Sequence, residues 1–379
     1  MIRVFGELFD PDARGLAVVT IDGGVITAME AVTSGEPVGP EVLGGARSRI
    51  VPGLIDAQIN GAFGQDFADP DADLSLACRG LPQFGVTAFV PTIVSSAPRV
   101  YGPALANLRR DPVAGEARIL GVHLEGPFLS PEHAGTHDPR QLRPPSVEEA
   151  RAWLEAGDIR YVTLAPELPG AIGLIEFLTR SGVRVALGHS GADWSAAEAA
   201  ERAGATLVTH VFNAMGPLRH RDPGLVGYAL ASHLTVGFIA DGNHIAFDTI
   251  RLLARVKAPD ELMLVTDALA GLGMAPGRYP LGDREYTSDG TAGHLDDGTL
   301  SGSLLPLNLA LRNLVEAVGI EPATAIRFAT LNPARALGLD PSARRIAVGG
   351  PADLAVLDER WEVEATIAGG APAYVRDAL

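Results

Sequence analysis

Eight apolar runs of strand length follow one another along the middle of the chain, and this alternation is the strongest constraint on the fold. Most of the stretches between them have helical spacing, as in residues 192–203, which end before Gly204. Strands of a parallel barrel are buried on both faces and are therefore almost continuously apolar. The pattern predicts an α/β fold, a (β/α)8 TIM-type barrel, with a doubly wound open sheet as the alternative. The runs are residues 54–58, 87–93, 119–125, 161–167, 183–189, 206–211, 235–241 and 262–267.

Short strand-like runs also occur at both ends of the chain. Residues 16–21 and 25–28 flank a turn at Asp22, Gly23 and Gly24, which favours a hairpin. Residues 345–374 contain further short runs separated by glycine-rich turns. Neither end is large enough to fold alone. We therefore predict a small β-sandwich domain built from residues 1–50 and 341–379, beside a catalytic barrel of residues 51–340.

Composition and charge exclude several classes of protein. With 47% hydrophobic residues among 379, the chain can form a substantial globular core. Its formal net charge of −16 opposes binding to nucleic-acid phosphates or anionic membranes. The single cysteine, Cys78, cannot form an internal disulfide, and the sequence has neither a signal-like start nor a long uncharged apolar run. These features predict a cytoplasmic protein without nucleic-acid or membrane partners.

Polar residues stand at the carboxyl ends of the predicted strands, where a barrel of this type carries its chemistry. A lone buried charge costs several kcal/mol, so packing alone does not explain acidic residues and histidines at several strand ends. A divalent metal ion is a suitable partner for such groups. In chain order, the polar residues are Gln58, Thr92, Glu125, Glu167, His189, His210, Asp241 and Asp267.

Glu125, His189 and His210 form a candidate metal-ligand set. Catalytic zinc commonly has three protein ligands and one open position, where it lowers the pKa of bound water to about 7. Asp267, at the end of the last run, could exchange a proton with that water. Alternatives remain for each residue: a hydrogen-bonded histidine beneath a loop, an ion pair of Glu125 with a basic neighbour, or Asp267 as a helix N-cap. For Asp241 and Glu167 a structural role is the favoured interpretation.

At these residues the sequence resembles the amidohydrolase superfamily, and within it the deacetylases of phosphorylated amino sugars. The resemblance runs through VPGLIDAQINGAFG, HLEGPFLSPEHAGTHDP, LAPE, LGHSGA, THVFNAMGPLRHRDPGLVG, ADGNHI, VTDALAG and LSGS, in this order. It implies a metal-dependent barrel with a small flanking β domain. The implied reaction is hydrolysis of the acetamide of N-acetylglucosamine 6-phosphate to acetate and the free amine. The resemblance also implies a homodimer in which basic residues cross the interface.

The same resemblance implies roles for individual residues. Glu125, His189 and His210 match metal ligands, and Asp267 matches the catalytic acid/base. His137 matches a histidine that contacts the substrate and polarises the acetyl carbonyl. The residues that match substrate-binding positions are Asn213, Ala214, Leu300, Ser301 and Gly302 for the sugar, with Leu300 to Gly302 expected in a loop, and Arg221 and His244 for the phosphate or sugar hydroxyls.

The sequence departs from many amidohydrolases at the end of the first strand. Gln58-Ile59-Asn60 stands where a His-x-His pair would bind a second metal. Amides are poorer ligands than imidazole for such metals, so we expect one divalent ion per chain, with Zn²⁺ favoured and Fe²⁺, Co²⁺ or Mn²⁺ also suited. Two alternative functions remain open: an amidohydrolase acting on N-acetylgalactosamine 6-phosphate or another amide, and a sugar-phosphate sensor without activity.

Overall fold

The computed structural model describes residues 1–10, 13–32 and 42–376. Its main sheet carries eight parallel strands in chain order, and the short strand Arg118–Ile119 pairs with the second of them. The first and eighth strands meet through hydrogen bonds from Asp267 N to Gln58 O (2.9 Å) and from Asn60 N to Ala268 O (2.7 Å). The predicted (β/α)8 barrel is confirmed. Its strands are Leu54–Ile59, Val86–Val94, Val122–Glu125, Ile159–Leu164, Arg184–Leu187, Leu207–Val208, Thr235–Phe238 and Leu262–Leu264.

Alternate residues of the barrel strands point into the interior or toward the surrounding helices. Ile55 and Ala57 belong to the interior cluster, which also contains Tyr161 and Met263. Val86 and Phe89 belong to the larger cluster beneath the helices. Both faces of the sheet are therefore dry, which explains the continuous apolar runs of the sequence.

Ten α-helices lie in the described part of the chain. The helix Trp194–Ala203 begins with the Asp193 side chain accepting from Ala196 N, two residues later than the sequence predicts, and ends as predicted at Gly204, which is left-handed. None of these helices has the length and apolar character that a membrane crossing requires. The helices are Leu74–Gly80, Pro98–Asn107, Val147–Ala156, Ala171–Arg180, Trp194–Ala203, Gly224–Ala231, Phe247–Val256, Leu307–Asn313, Pro322–Phe328 and Leu331–Ala336.

Strands from both ends of the chain form one seven-stranded sheet. The strand Val42–Pro52 joins the two groups, because it pairs with Ile2–Asp10 in parallel and with Leu354–Leu357 antiparallel. A small β domain built from both termini is thus confirmed. The predicted boundaries, 1–50 and 341–379, stay a prediction, and residues 11–12, 33–41 and 377–379 lie outside the described residues. The remaining strands of this sheet are Ala13–Asp22, Val25–Ala31, Val363–Ala368 and Ala371–Val375.

A four-stranded antiparallel sheet after the eighth barrel strand was not predicted. Its hydrogen bonds to the barrel mouth include those from Gly282 N to Asp66 Oδ2 (2.6 Å) and from Arg284 Nη1 to Thr136 O (3.1 Å). Leu300, Ser301 and Gly302 lie in its last strand, so the expectation of a loop there was wrong. Short strands with turn residues between them give little period-two signal. The strands are Gly277–Leu281, Arg284–Ser288, Ala292–His294 and Leu300–Ser303.

Candidate active site

The three candidate metal ligands meet at the carboxyl end of the barrel. Glu125 is the last residue of its strand, while His189 and His210 each lie two residues beyond the end of theirs. Glu125 Oε1 lies 3.0 Å from His189 Nε2 and 2.8 Å from His210 Nε2. All three side chains are buried, and their ligand atoms lie within 4.8 Å of one another. The partners of Glu125 are these histidines, His137 and Gln58, not the basic ion pair considered as an alternative.

The donor set fits a divalent ion. His189 Nδ1 lies 2.9 Å from the carbonyl oxygen of His133, which places a proton on Nδ1 and leaves the Nε2 lone pair directed at the cluster. The two Nε2 atoms are 3.2 Å apart, and His210 Nδ1 is buried without a hydrogen-bond partner among the described residues. Two imidazoles and one carboxylate match the ligands of catalytic zinc sites.

Charge within the cluster alters the pKa of Glu125. Burial alone would raise this pKa, but the adjacent imidazoles of His137, His189 and His210 hold it well below its ordinary value. Burial likewise opposes protonation of His210, yet its hydrogen bond to Glu125 raises its pKa overall. A negative charge on Glu125 is thus stabilised at neutral pH.

Three of the site residues have a left-handed backbone. The φ angles are +50° at His189, +23° at His210 and +49° at Asp267. A non-glycine residue in a sparsely populated region costs about 1 to 3 kcal/mol, and such residues concentrate at functional sites. Each marks the point where the chain leaves a barrel strand and turns its side chain into the site.

Gln58 and Asn60 donate hydrogen bonds to the acidic residues of the site. The Gln58 amide nitrogen lies 3.3 Å from Glu125 Oε2 and 3.1 Å from Asp267 Oδ1. The Asn60 amide nitrogen lies 2.7 Å from the same Asp267 oxygen. These amide groups thus stabilise two neighbouring carboxylates.

Asp267 lies in the same cavity as the candidate ligands. Burial and the nearby charge of Glu125 raise the pKa of Asp267 to about 6. In the described chain no helix begins directly after Asp267, and Ala268 instead bridges to Ile59 and Ser303. The alternative of a helix N-cap was therefore wrong. The carboxylate is held by amide donors and faces the ligand cluster, as a proton-transfer group requires.

His137 is held in one tautomer by Ser95. The Ser95 N–H group donates to His137 Nδ1 (3.1 Å), so the ring proton is on Nε2. That nitrogen lies 3.9 Å from Glu125 Oε1. Burial and the adjacent His189 lower the pKa of His137 to about 4, so the ring is neutral at pH 7. His137 can therefore donate a hydrogen bond into the cavity without carrying a charge.

Most of the predicted substrate residues line one cavity of about 240 Å³ with the ligand cluster: Asn213, Ala214, His244, Leu300 and Ser301. Asp241 accepts a hydrogen bond of 2.6 Å from His244 Nδ1. Gly302 does not line the cavity but packs against the backbone of Asp267. Arg221 is exposed and lies outside it.

Several cavity residues had no signal in the sequence. They are small, apolar or hydroxyl-bearing, and nothing in their local pattern separates them from loop or core positions. Glu167, for which the sequence favoured a structural role, lies outside the cavity and accepts from Ser190 Oγ (2.7 Å) and Gly191 N (2.7 Å), which anchors the loop after His189. The unpredicted lining residues are Val94, Gly135, Thr136, Leu281 and Thr299.

Comparison with known proteins assigns the family. Residues 49–378 match the amidohydrolase family. The chain belongs to the amidohydrolase family. This amidohydrolase is 41% identical over 340 residues to N-acetylglucosamine-6-phosphate deacetylase of Rattus norvegicus, covering 85% of this chain and 82% of the rat protein.

Two further relatives bear on the substrate. A mutant of N-acetyl-D-glucosamine-6-phosphate deacetylase from Mycobacterium smegmatis, solved with N-acetyl-D-glucosamine-6-phosphate, matches with a TM-score of 0.90, 31% identity and 99% coverage of both chains. N-acetylgalactosamine-6-phosphate deacetylase of Escherichia coli O157:H7 is 35% identical over 351 residues, covering 91% of each chain. The amidohydrolase is thus similar to deacetylases of two epimeric sugar phosphates.

Proposed function

We propose that this amidohydrolase removes the acetyl group from N-acetylglucosamine 6-phosphate, releasing acetate and glucosamine 6-phosphate. The observation that carries the proposal is the meeting of a His2Glu ligand set, a carboxylate and a neutral histidine donor in one cavity. Relatives named for this reaction cover most of the chain at up to 41% identity.

Glu125, His189 and His210 hold one divalent metal ion in this proposal, with Zn²⁺ favoured. Such an ion supplies Lewis acidity, which polarises an amide carbonyl and makes a water molecule more acidic. The hydrogen bonds from Gln58 and Asn60 to the neighbouring carboxylates support a single ion per chain.

Proton transfer is the part of the reaction that the chain performs with its own groups. Asp267 takes a proton from the attacking water as the water oxygen bonds to the acetyl carbon. It returns this proton to the amide nitrogen as the C–N bond breaks. His137 donates its Nε2–H to the acetyl oxygen, where negative charge develops. The products are acetate and the amine, and no other reactant is consumed.

Recognition of the sugar phosphate involves Asn213, Ala214, His244, Leu300 and Ser301. Asp241 orients His244 through their hydrogen bond. Among the described residues the cavity is lined by no lysine or arginine. We therefore propose a homodimer in which Arg221 of the partner subunit reaches the phosphate, since a guanidinium suits phosphate oxygens. A cytoplasmic location and the lack of nucleic-acid partners belong to the same proposal.

The test measures acetate release from N-acetylglucosamine 6-phosphate, its unphosphorylated form and N-acetylgalactosamine 6-phosphate. Each assay is repeated after chelation and after zinc is restored. We expect release that needs both the phosphate and the metal and that is fastest with the gluco epimer. Equal release from the unphosphorylated sugar would contradict the assigned phosphate recognition.

The galacto epimer is a second candidate because of the 35% identity to the Escherichia coli relative. A higher kcat/KM with that epimer would replace the gluco assignment. A sensor without activity would bind the sugar phosphate equally well with Asp267 or with Asp267→Asn and release no acetate in either case.

A further inference from the structure

Asp56 is a buried carboxyl group to which the proposed reaction assigns no role. It lies in the first barrel strand, is 1% exposed and does not line the cavity. Its Oδ2 accepts a hydrogen bond from Thr266 Oγ1 (2.5 Å), and its Oδ1 accepts from the backbone nitrogens of Thr266 (3.2 Å) and Gln58 (3.4 Å). The contact between residues 56 and 266 therefore joins the first strand to the chain that follows the eighth.

The hydroxyl of Thr266 links Asp56 to both sides of Asp267. While Oγ1 donates to Asp56, it also accepts from Ala268 N at 3.1 Å. The carbonyl of Thr266 in turn accepts from Ser303 Oγ at 2.5 Å. The Thr266 hydroxyl oxygen thus anchors Thr266, the residue before Asp267, and also Ala268, the residue after it.

This arrangement matters because Asp267 has a φ of +49°. A non-glycine residue remains in this region only when its surroundings hold it there. If the turn relaxes, the carboxylate moves relative to the Gln58 and Asn60 amides that orient it. Proton transfer needs the donor and acceptor within hydrogen-bond reach, so such a movement lowers the rate directly.

We propose that Asp56 is a positioning residue that acts through the Thr266 hydroxyl to hold the left-handed backbone, and hence the carboxylate, of Asp267 in the geometry that proton transfer requires. The inference rests on the proposed function, because it assumes that Asp267 exchanges the proton. The alternative is a purely structural role for Asp56, in which the same hydrogen bonds only close the barrel.

The first pair of variants, Thr266→Val and Thr266→Ser, tests the role of the Thr266 hydroxyl. Thr266→Val retains the branched shape without the hydroxyl, and we expect kcat to fall about 10-fold to 100-fold with little change in KM. Thr266→Ser keeps the hydroxyl, and we expect most of kcat to return. Thr87→Val is the matched control, because Thr87 is a buried barrel threonine whose hydroxyl has no hydrogen-bond partner among the described residues. It should leave kcat unchanged.

The second pair of variants changes Asp56, so the proposal can be tested even if Thr266→Val fails to fold. In Asp56→Asn the amide oxygen can accept from Thr266 N, and the amide nitrogen can donate to Thr266 Oγ1. The Thr266 proton can then turn to Gln58 O, which lies 3.5 Å away. We expect Asp56→Asn to keep most of kcat and Asp56→Ala to lose it, with metal content unchanged in both.

A double-mutant cycle with Asp267→Asn separates positioning from a general effect on the fold. If Asp56 and Thr266 act through the carboxylate, Thr266→Val has no further effect on the residual rate of Asp267→Asn. An equal fold-loss in both backgrounds, or a wild-type kcat for Thr266→Val, would overturn the inference. A wild-type kcat for Asp267→Asn alone would overturn both the inference and the role of Asp267 in the proposed function.

Discussion

Replacing Gly302 by alanine should damage catalysis without touching the substrate. Gly302 has a φ of +150°, and an added Cβ would lie 2.8 Å from the carbonyl oxygen of Asp267. Ordinary van der Waals contact begins at 3.4 Å, so the backbone of Asp267 must move by about 0.6 Å. The fully buried side chain of Leu269 lies 2.9 Å from the same Cβ position and leaves little room for the alanine to move instead.

The expected loss follows from this displacement. A misplacement near 1 Å costs about 100-fold in rate, so Gly302→Ala should lower kcat about 10-fold to 100-fold, with KM nearly unchanged. Backbone strain and crowding should together lower the free energy of unfolding by about 2 to 6 kcal/mol. Acetate release and denaturant unfolding measure the two effects.

A matched glycine separates crowding from backbone strain. Gly319 has a φ of +85° and nothing within 4 Å of an added Cβ. Gly319→Ala should therefore cost about 1 to 2 kcal/mol of stability and leave kcat unchanged. A wild-type kcat for Gly302→Ala, or an equal fall in kcat for Gly319→Ala, would show that crowding at the Asp267 backbone does not control the rate.

Three further predictions concern the metal, the phosphate and the contact between domains. Zinc-restored protein should hold one tightly bound equivalent per chain by elemental analysis, and two equivalents would contradict the role given to the Gln58 and Asn60 amides. Arg221→Ala should raise KM for the phosphorylated sugar about 10-fold or more, through loss of a charged hydrogen bond, and leave the unphosphorylated sugar unaffected; an equal change for both would exclude a phosphate contact. Asp353→Ala should lower the free energy of unfolding by about 3 to 5 kcal/mol with normal kcat, because Asp353 accepts from Arg118 at 2.9 Å and from the mostly buried Arg344 at 3.1 Å. A loss below about 1 kcal/mol in denaturant unfolding would show that Arg344 finds another partner.

The barrel and the ligand cluster were predictable because their signals are local. A strand buried on both faces must be apolar along its whole length, and the polar residue that ends it marks the functional end of a barrel. Glu125, His189 and His210 stand at such ends, and the structure brings them within hydrogen-bond distance of one another. The position of Arg221 outside the cavity was not predictable, because its place depends on the path of an exposed loop.

The order of the barrel strands and helices, the β-rich ends and the chemical types available to the site follow from the sequence, since each depends on burial and residue type over short stretches. Which distant groups meet, such as Asp56 with Thr266 and Gln58 with Asp267, depends on how the folded chain brings them together. The same holds for the sheet that residues 277–303 form over the barrel mouth and for the left-handed conformation of Asp267. These features depend on hydrogen bonds and close contacts between residues far apart in the chain, and no local pattern encodes them.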